Sequence, residues 1–160
     1  MALSNFERLI QLADKVFAVK NDPTQLDVDE KVLMRLKRMH PATVADEDDG
    51  NGPVAWVLVI PTTLDLMNRF LKNEISEKEL FDLTPLKAAY EALYLCAALV
   101  LEEYRQKGIA HRLTLKAVES IRKDHPLKCL FVWPFSEEGD RLAEFIARET
   151  SLPLYRKEYK

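Results

Sequence analysis

The sequence predicts a mixed α/β (α+β) fold, and three observations carry that prediction. Helical stripes, with apolar residues at three- and four-residue steps, alternate along the chain with short apolar or aromatic runs of strand length. A turn bearing Gly50, Asn51 and Gly52 lies between two such runs. From Ala92 onward a strand-like run, a short basic loop, a helical stripe and a second strand-like run follow one another directly. At 160 residues the chain has room for a single domain, 1–160. By area scaling about two thirds of its extended surface is buried on folding, enough for a core without disulfide or metal.

The elements follow in order. Phe6, Leu9, Ile10, Ala13, Val16 and Phe17 mark an amphipathic helix from Ser4 to about Val19, with Ser4 as N-cap and Glu7 at capping-box spacing. Val28, Val32, Leu33, Leu36 and Met39 repeat the stripe over Asp27 to Met39, and Pro41 ends it, so N-terminal helices occupy 4–39. Thr43-Val44-Ala45 and Val54 to Ile60, on either side of the acidic turn, predict a hairpin over 43–60. That turn imitates the start of a calcium loop at Glu47, Asp49, Asn51 and Gly52. Leu58 stands where the bidentate acid belongs, so a solvated turn is the expectation.

Leu64 to Lys72 and Ser76 to Phe81 read as helical pieces of an insertion over 61–90, the second opened by Ser76 and Glu79 at capping-box spacing. Ala92 to Leu101 is a nearly unbroken apolar run, expected as a strand buried on both faces. Ile109, Leu113, Ala117, Val118 and Ile121 form a helical stripe that ends in Arg122 and Lys123, where cations suit the dipole. Cys129 to Phe135 is a second strand, Gly139 to Thr150 a last helix with Leu142, Phe145 and Ile146 inward, and Leu152 to Tyr159 a terminal strand. The core of interest is therefore 91–150.

Composition excludes several function classes. The chain carries 23 basic and 26 acidic side chains, a net charge of −3, which lacks the basic surplus of a nucleic-acid or anionic-membrane binder. With Gly50, Gly52, Gly108 and Gly139 as the only glycines, neither a dinucleotide fingerprint, a P-loop nor a nucleophile elbow can be written. Cys96 and Cys129 sit in apolar runs without a CxxC pair and read as buried free thiols of a reducing compartment. His40, His111 and His125 are scattered, so no metal site is expected. Glu7, Arg8, Asp14 and Lys15 are unlike the apolar stretch of a signal peptide, so none is expected, and no apolar run approaches the roughly 20 residues a bilayer needs. The expectation is a cytoplasmic protein.

The informative segment runs from Leu99 to Leu113. A buried strand, a basic loop with one glycine and a helix start succeed one another there. Orphan N–H groups at a helix start converge on an anion, and small Gly108 and Ala110 let it come close. Arg105, Lys107 and Arg112 crowd the same helix N-terminus, where a cation costs about 0.3–1 kcal/mol unless an anion is bound. The alternative is that Glu102 and Glu103 neutralise those cations in a solvated loop.

Arg105-Gln106-Lys107-Gly108-Ile109-Ala110 matches the acyl-CoA signature of the GNAT superfamily of N-acetyltransferases, which is Arg or Gln, two residues, Gly, any residue, then Gly or Ala. The chain resembles that family as a divergent member, and the strand, motif, helix, strand, helix order over about Ala92 to Thr150 is the family's order. The resemblance implies a GNAT-like mixed, mostly antiparallel sheet with splayed central strands flanked by helices. It implies acetyl-CoA or another acyl-CoA as cosubstrate, with no metal.

The pyrophosphate would rest on backbone amides of Gln106, Lys107, Gly108, Ile109, Ala110 and His111. The pantetheine arm would pair with backbone at Leu99, Val100 and Leu101, and an N–H near Val100 or Leu101 would meet the oxyanion. Pro134, which lacks an N–H, suits a splay between the strands.

Direct transfer to the amine of a small molecule or peptide needs a base and an acid. Glu102 or Glu103 is the candidate base and Tyr155 the candidate acid. A non-catalytic CoA-binding or regulatory module of the same fold is the second reading, and a homodimer is left open. The chain departs from the family pattern in opening with a helix, in the 61–90 insertion, and in having one strand after the last helix.

Overall fold

Strands β1 (Val44–Asp48), β2 (Pro53–Thr62), β3 (Ala92–Val100), β4 (Cys129–Val132) and β5 (Leu154–Arg156) lie side by side in chain order in one sheet. The computed structural model describes residues 3–20, 30–133 and 136–157. The long ladders β1–β2 and β2–β3 are antiparallel, and the short ones β3–β4 and β4–β5 are parallel. Among the described strands β1 and β5 are outermost. The fold is mixed α/β, in the element order the sequence implies.

Parallel neighbours need crossover connections, and helices supply them. The helix between β3 and β4 spans Ile109–Asp124, and the one between β4 and β5 spans Glu137–Thr150. Numbered in chain order these are α5 and α6. On their face of the sheet Leu113, Ala117, Val118, Ile121 and Ile146 bury Val57, Val59, Leu93 and Leu130. On the other face α2 (Glu30–Met39), α3 (Leu64–Leu71) and α4 (Glu77–Leu83) bring Leu36, Met67, Phe70 and Leu80 against Leu58, Ile60, Tyr94 and Phe131. Helix α1 (Asn5–Lys20) closes the remaining end, where Leu9 packs with Val54, Leu99 and Leu101. No helix among the described residues is long and apolar enough to cross a membrane.

Helix starts follow their caps. Ser4 Oγ accepts from Glu7 N at 3.1 Å, and Thr63 Oγ1 from Leu66 N at 3.3 Å. The Ser76–Glu79 box closes in both directions at 3.0 Å. Helix α6 starts at Glu137, ahead of the expected Gly139, because Ser136 Oγ accepts from Gly139 N at 3.0 Å. A Cβ on Gly139 would sit 2.9 Å from that oxygen, so the glycine makes room for the cap. β4 and β5 are shorter than expected. Pro134 and Phe135, the tail from Glu158 to Tyr159, the expected α2 residues Asp27 and Val28, and the side chains of Val16 and Phe17 lie outside the described residues.

One irregularity reshapes β3. Leu58 pairs with Ala97, but the next residue, Val59, pairs with Leu95, so Cys96 is an extra residue bulged out of the β2–β3 ladder. Before the bulge Ala92, Tyr94 and Cys96 face α3 and α4. After it the alternation reverses, and Leu99 joins Leu101 beneath α1 while Val100 turns toward α5. The run reads as unbroken because apolar partners lie on both faces of β3, before the bulge and after it. It is not buried throughout, since Ala98 is exposed and Leu95, Ala97 and Val100 are half-buried.

His40 and His125, expected as ordinary loop residues before prolines, are knitted into the fold. His40 is buried; its Nδ1 accepts from Ala42 N at 3.0 Å and its Nε2 meets Asp124 Oδ2 at 2.6 Å. The His125 ring lies tilted against that of Tyr90, with centroids 4.6 Å apart. Burial, then the proximity of His40, pulls the His125 pKa below its ordinary value, with Asp124 acting in the opposite sense. The unfolded chain therefore binds this proton first. His125 supports the fold fully above about pH 6.5, and that support is lost as the pH falls through its depressed folded value. We expect the melting temperature to drop below pH 6.5 and the drop to be shallower in His125→Gln. Parallel pH profiles for the two proteins would assign the decline to other groups.

Candidate functional site

The sheet forks at its centre. β3 and β4 pair only at Ala92–Cys129, Leu93–Leu130 and Tyr94–Phe131, after which β3 continues to Val100 with no β4 partner. The Cys96 bulge lies just past the last pair, on the β3 arm. Beyond that pair the side of β3 that faced β4 has no strand partner among the described residues.

The direction of each β3 amide decides what that edge offers. Leu101 N donates to Val54 O at 2.9 Å, so Leu101 faces β2. By strand alternation Leu99 faces the same way, and Ala98 and Val100 face the fork. Val100 O accepts Arg105 Nε at 3.0 Å on that open side. This corrects the expectation for Leu101, whose N–H is already used and cannot stabilise an oxyanion. Val100 remains outward, and Ala98, missed in the sequence, joins it.

Beyond β3 a single helical turn (Glu102–Tyr104) leads into the basic loop. Gln106, at φ 63°, and Gly108, at φ 75°, both adopt left-handed backbone, and Gly108 is the N-cap of α5. No side chain caps this helix and no acid stands in its first turn, unlike α1, α3, α4 and α6. Among the described residues none of the amides from Gln106 to His111 donates to a protein acceptor. Nothing lies within 4 Å of a Cβ placed on Gly108, so there is open space on that side of the glycine. Orphan donors at an uncapped helix start suit an anion.

The three cations are arranged differently from either sequence expectation. Arg112 pairs with Glu47 of the hairpin, Lys107 lies 5.4 Å from the centroid of the Tyr104 ring, and Arg105 folds back onto Val100 O. Glu102 and Glu103 neutralise none of them in these pairs. The hairpin acids are tied in as well, with Tyr104 Oη donating to Asp49 and Asn5 Nδ2 reaching Asp49 Oδ1 at 3.1 Å. Among the described residues no three His, Cys, Asp or Glu side chains gather to hold a metal. A groove of about 540 Å³ runs between α1 and the loop, with Arg8, Lys15, Leu101, Glu102 and Arg105 in its wall.

The candidate acid–base residues are scattered. Glu103 is gripped by Arg8 in two hydrogen bonds of 2.6 and 2.7 Å. That hydrogen bonding holds its pKa down at about 2, so it is ionised and already engaged at neutral pH. Glu102 is exposed on the turn before the loop. Tyr155 is exposed on β5, opposite Phe131. The His111 ring packs edge-on against Phe145, with centroids 4.7 Å apart, at the start of α5.

Two groups at the fork escaped the sequence reading. Glu77 is fully buried, and Tyr94 Oη donates to its Oε2 at 2.5 Å beside the last β3–β4 pair. Burial, reinforced by the Glu77 charge, pushes the Tyr94 hydroxyl well above its ordinary pKa. An acid one residue after a serine cap looks like a solvated first-turn residue, and that masked Glu77. Lys157 is the second: its Nζ lies over the rings of Trp133 and Phe70 on the β4 arm, at 4.1 and 5.1 Å from their centroids.

No protein-family model matches the chain, and no curated protein matches it in sequence. In fold it is similar to the crystal structure of Chaetomium thermophilum Naa20 in complex with a bisubstrate analogue, with a TM-score of 0.47 and 12% sequence identity. The match covers 84% of this chain and 64% of that one, so the chain spans less than two thirds of its length.

Proposed function

We propose that the protein is an acyl-CoA-dependent N-acyltransferase that passes an acyl group, with acetyl as the expected one, directly from the thioester to an amine of a small molecule or peptide. The observation that carries this reading is the conjunction of the β3–β4 fork with the uncapped amides of Gln106 to His111 beyond its β3 arm, which donate to no protein acceptor among the described residues. The loop amides bind the diphosphate. The outward edge at Ala98 and Val100 binds the pantetheine amides as an added strand would, and one of its N–H groups faces the developing oxyanion. The groove between α1 and the loop gives the nucleotide end room, with Lys15 and Arg105 as the cations in its wall that Glu103 does not hold.

In the transfer the amine nitrogen forms its bond to the thioester carbonyl carbon, the carbon–sulfur bond breaks, and the leaving thiolate takes up a proton. The amine must first surrender a proton. Glu103 is poorly suited to accept it because Arg8 already holds its carboxylate, which leaves Glu102 and solvent. Tyr155, exposed on β5, is the candidate proton donor to the thiolate.

That engagement of Glu103 favours a second reading, a module that binds acyl-CoA without transferring the acyl group. Thermal unfolding with acetyl-CoA separates the outcomes. At 100 times its dissociation constant a ligand adds about 2.7 kcal/mol, which in a domain of this size is a rise of roughly 5–11 °C. A rise with free-thiol release against an amine panel supports the transferase. A rise without thiol release supports the binding module, and no rise at saturation removes both.

A further inference from the structure

Lys157 directly follows β5, and its backbone N–H donates to Val132 O at 2.9 Å, which fixes it beside the last residue of β4. Its ammonium lies 4.1 Å from the centroid of the Trp133 ring and 5.1 Å from that of Phe70. Phe70 packs edge-on against Tyr94 at 5.2 Å and Phe131 at 5.9 Å, the pair at which the strands part. The chain thus holds one of its own primary amines over aromatic faces on the β4 arm of the fork. Aromatic faces attract an ammonium through the ring quadrupole and restrict where it sits.

We propose that the ε-amine of Lys157 is an acyl acceptor of the chain's own site, so that the protein acylates itself there. The inference rests on the acyl-CoA reading above and names a primary alkylamine, presented over aromatic rings, as the acceptor chemistry. Lys157 gives one proton to solvent, which its half-buried position permits. Its nitrogen bonds to the acyl carbon, the carbon–sulfur bond breaks, and the thiolate leaves to be protonated as free CoA. The amide that forms carries no charge, so the attraction of Nζ to Trp133 and Phe70 ends with the reaction. An amine held where the thioester binds reacts at a high effective concentration, and the proposal puts Lys157, but not the lysines of the open surface, in that position.

The test incubates the purified protein with acetyl-CoA and maps acetylated lysines by mass spectrometry over time. Lys157 should gain one acetyl group about 10-fold or more faster than exposed Lys37 and Lys116, at a rate independent of protein concentration. Lys157→Arg should lose that product. Acetylation spread over all lysines at the rate of the heat-unfolded chain would overturn the proposal. A thermal shift with acetyl-CoA but no preference for Lys157 would overturn it and leave the acyl-CoA reading standing. Absence of both shift and acetylation would overturn the two together.

Discussion

Phe70→Ala is expected to lower the unfolding free energy by about 3–5 kcal/mol, the cost of emptying a fully buried aromatic position. Phe70 is 0% exposed, and its ring meets Tyr94, Phe131 and Trp133 at centroid distances of 5.2, 5.9 and 6.3 Å. It is the contact through which α3, from the insertion, seats on both arms of the fork. At roughly 2–4 °C per kcal/mol, the melting temperature should fall by roughly 6–20 °C. Phe70→Leu keeps much of the volume and should recover about half of that. A loss below about 1 kcal/mol for the alanine variant would mean that α3 does not pack on the sheet as described.

Gly108→Glu is expected to weaken binding of CoA about 100-fold or more, equivalent to about 2.7 kcal/mol, with the fold retained. The two effects separate cleanly at this position. The left-handed backbone, at φ 75°, costs a non-glycine residue about 1–2 kcal/mol, but nothing within 4 Å obstructs the new side chain. The introduced carboxylate competes for the orphan amides and repels a diphosphate. Gly108→Ala carries the same backbone strain without the charge, so its affinity should stay within about 3-fold of the parent. Titration calorimetry on the two variants decides the matter. Unchanged affinity in the glutamate variant would move the diphosphate to another part of the chain.

What the sequence revealed was local. The Ser76–Glu79 box, the stripe of α5 and the glycine between basic residues are each set by neighbours within a turn, and all appear in place. The sequence carried the succession of elements, whereas the order of the strands and the two parallel pairings are seen only in the structure. What stayed hidden depends on partners distant along the chain. Leu101 looked as available as Val100 until the register with β2 put Val54 O against its N–H. An unbroken apolar run carries no mark of the residue at which its alternation reverses, so the Cys96 bulge was invisible. Arg112 and Arg8 look alike as exposed cations, yet their partners, Glu47 and Glu103, lie at separations no local pattern reports.

The outermost strand β1 carries Asp46, Glu47 and Asp48 in its five residues. The edge of an outermost strand is a template onto which a second molecule can lay a matching strand. Two such edges brought together align like charges along most of their length, so growth of the sheet into fibrils from this side is opposed by repulsion. Glu47, which also pairs with Arg112, thereby has two uses, as a tie between the hairpin and α5 and as one of the like charges that oppose self-templated aggregation.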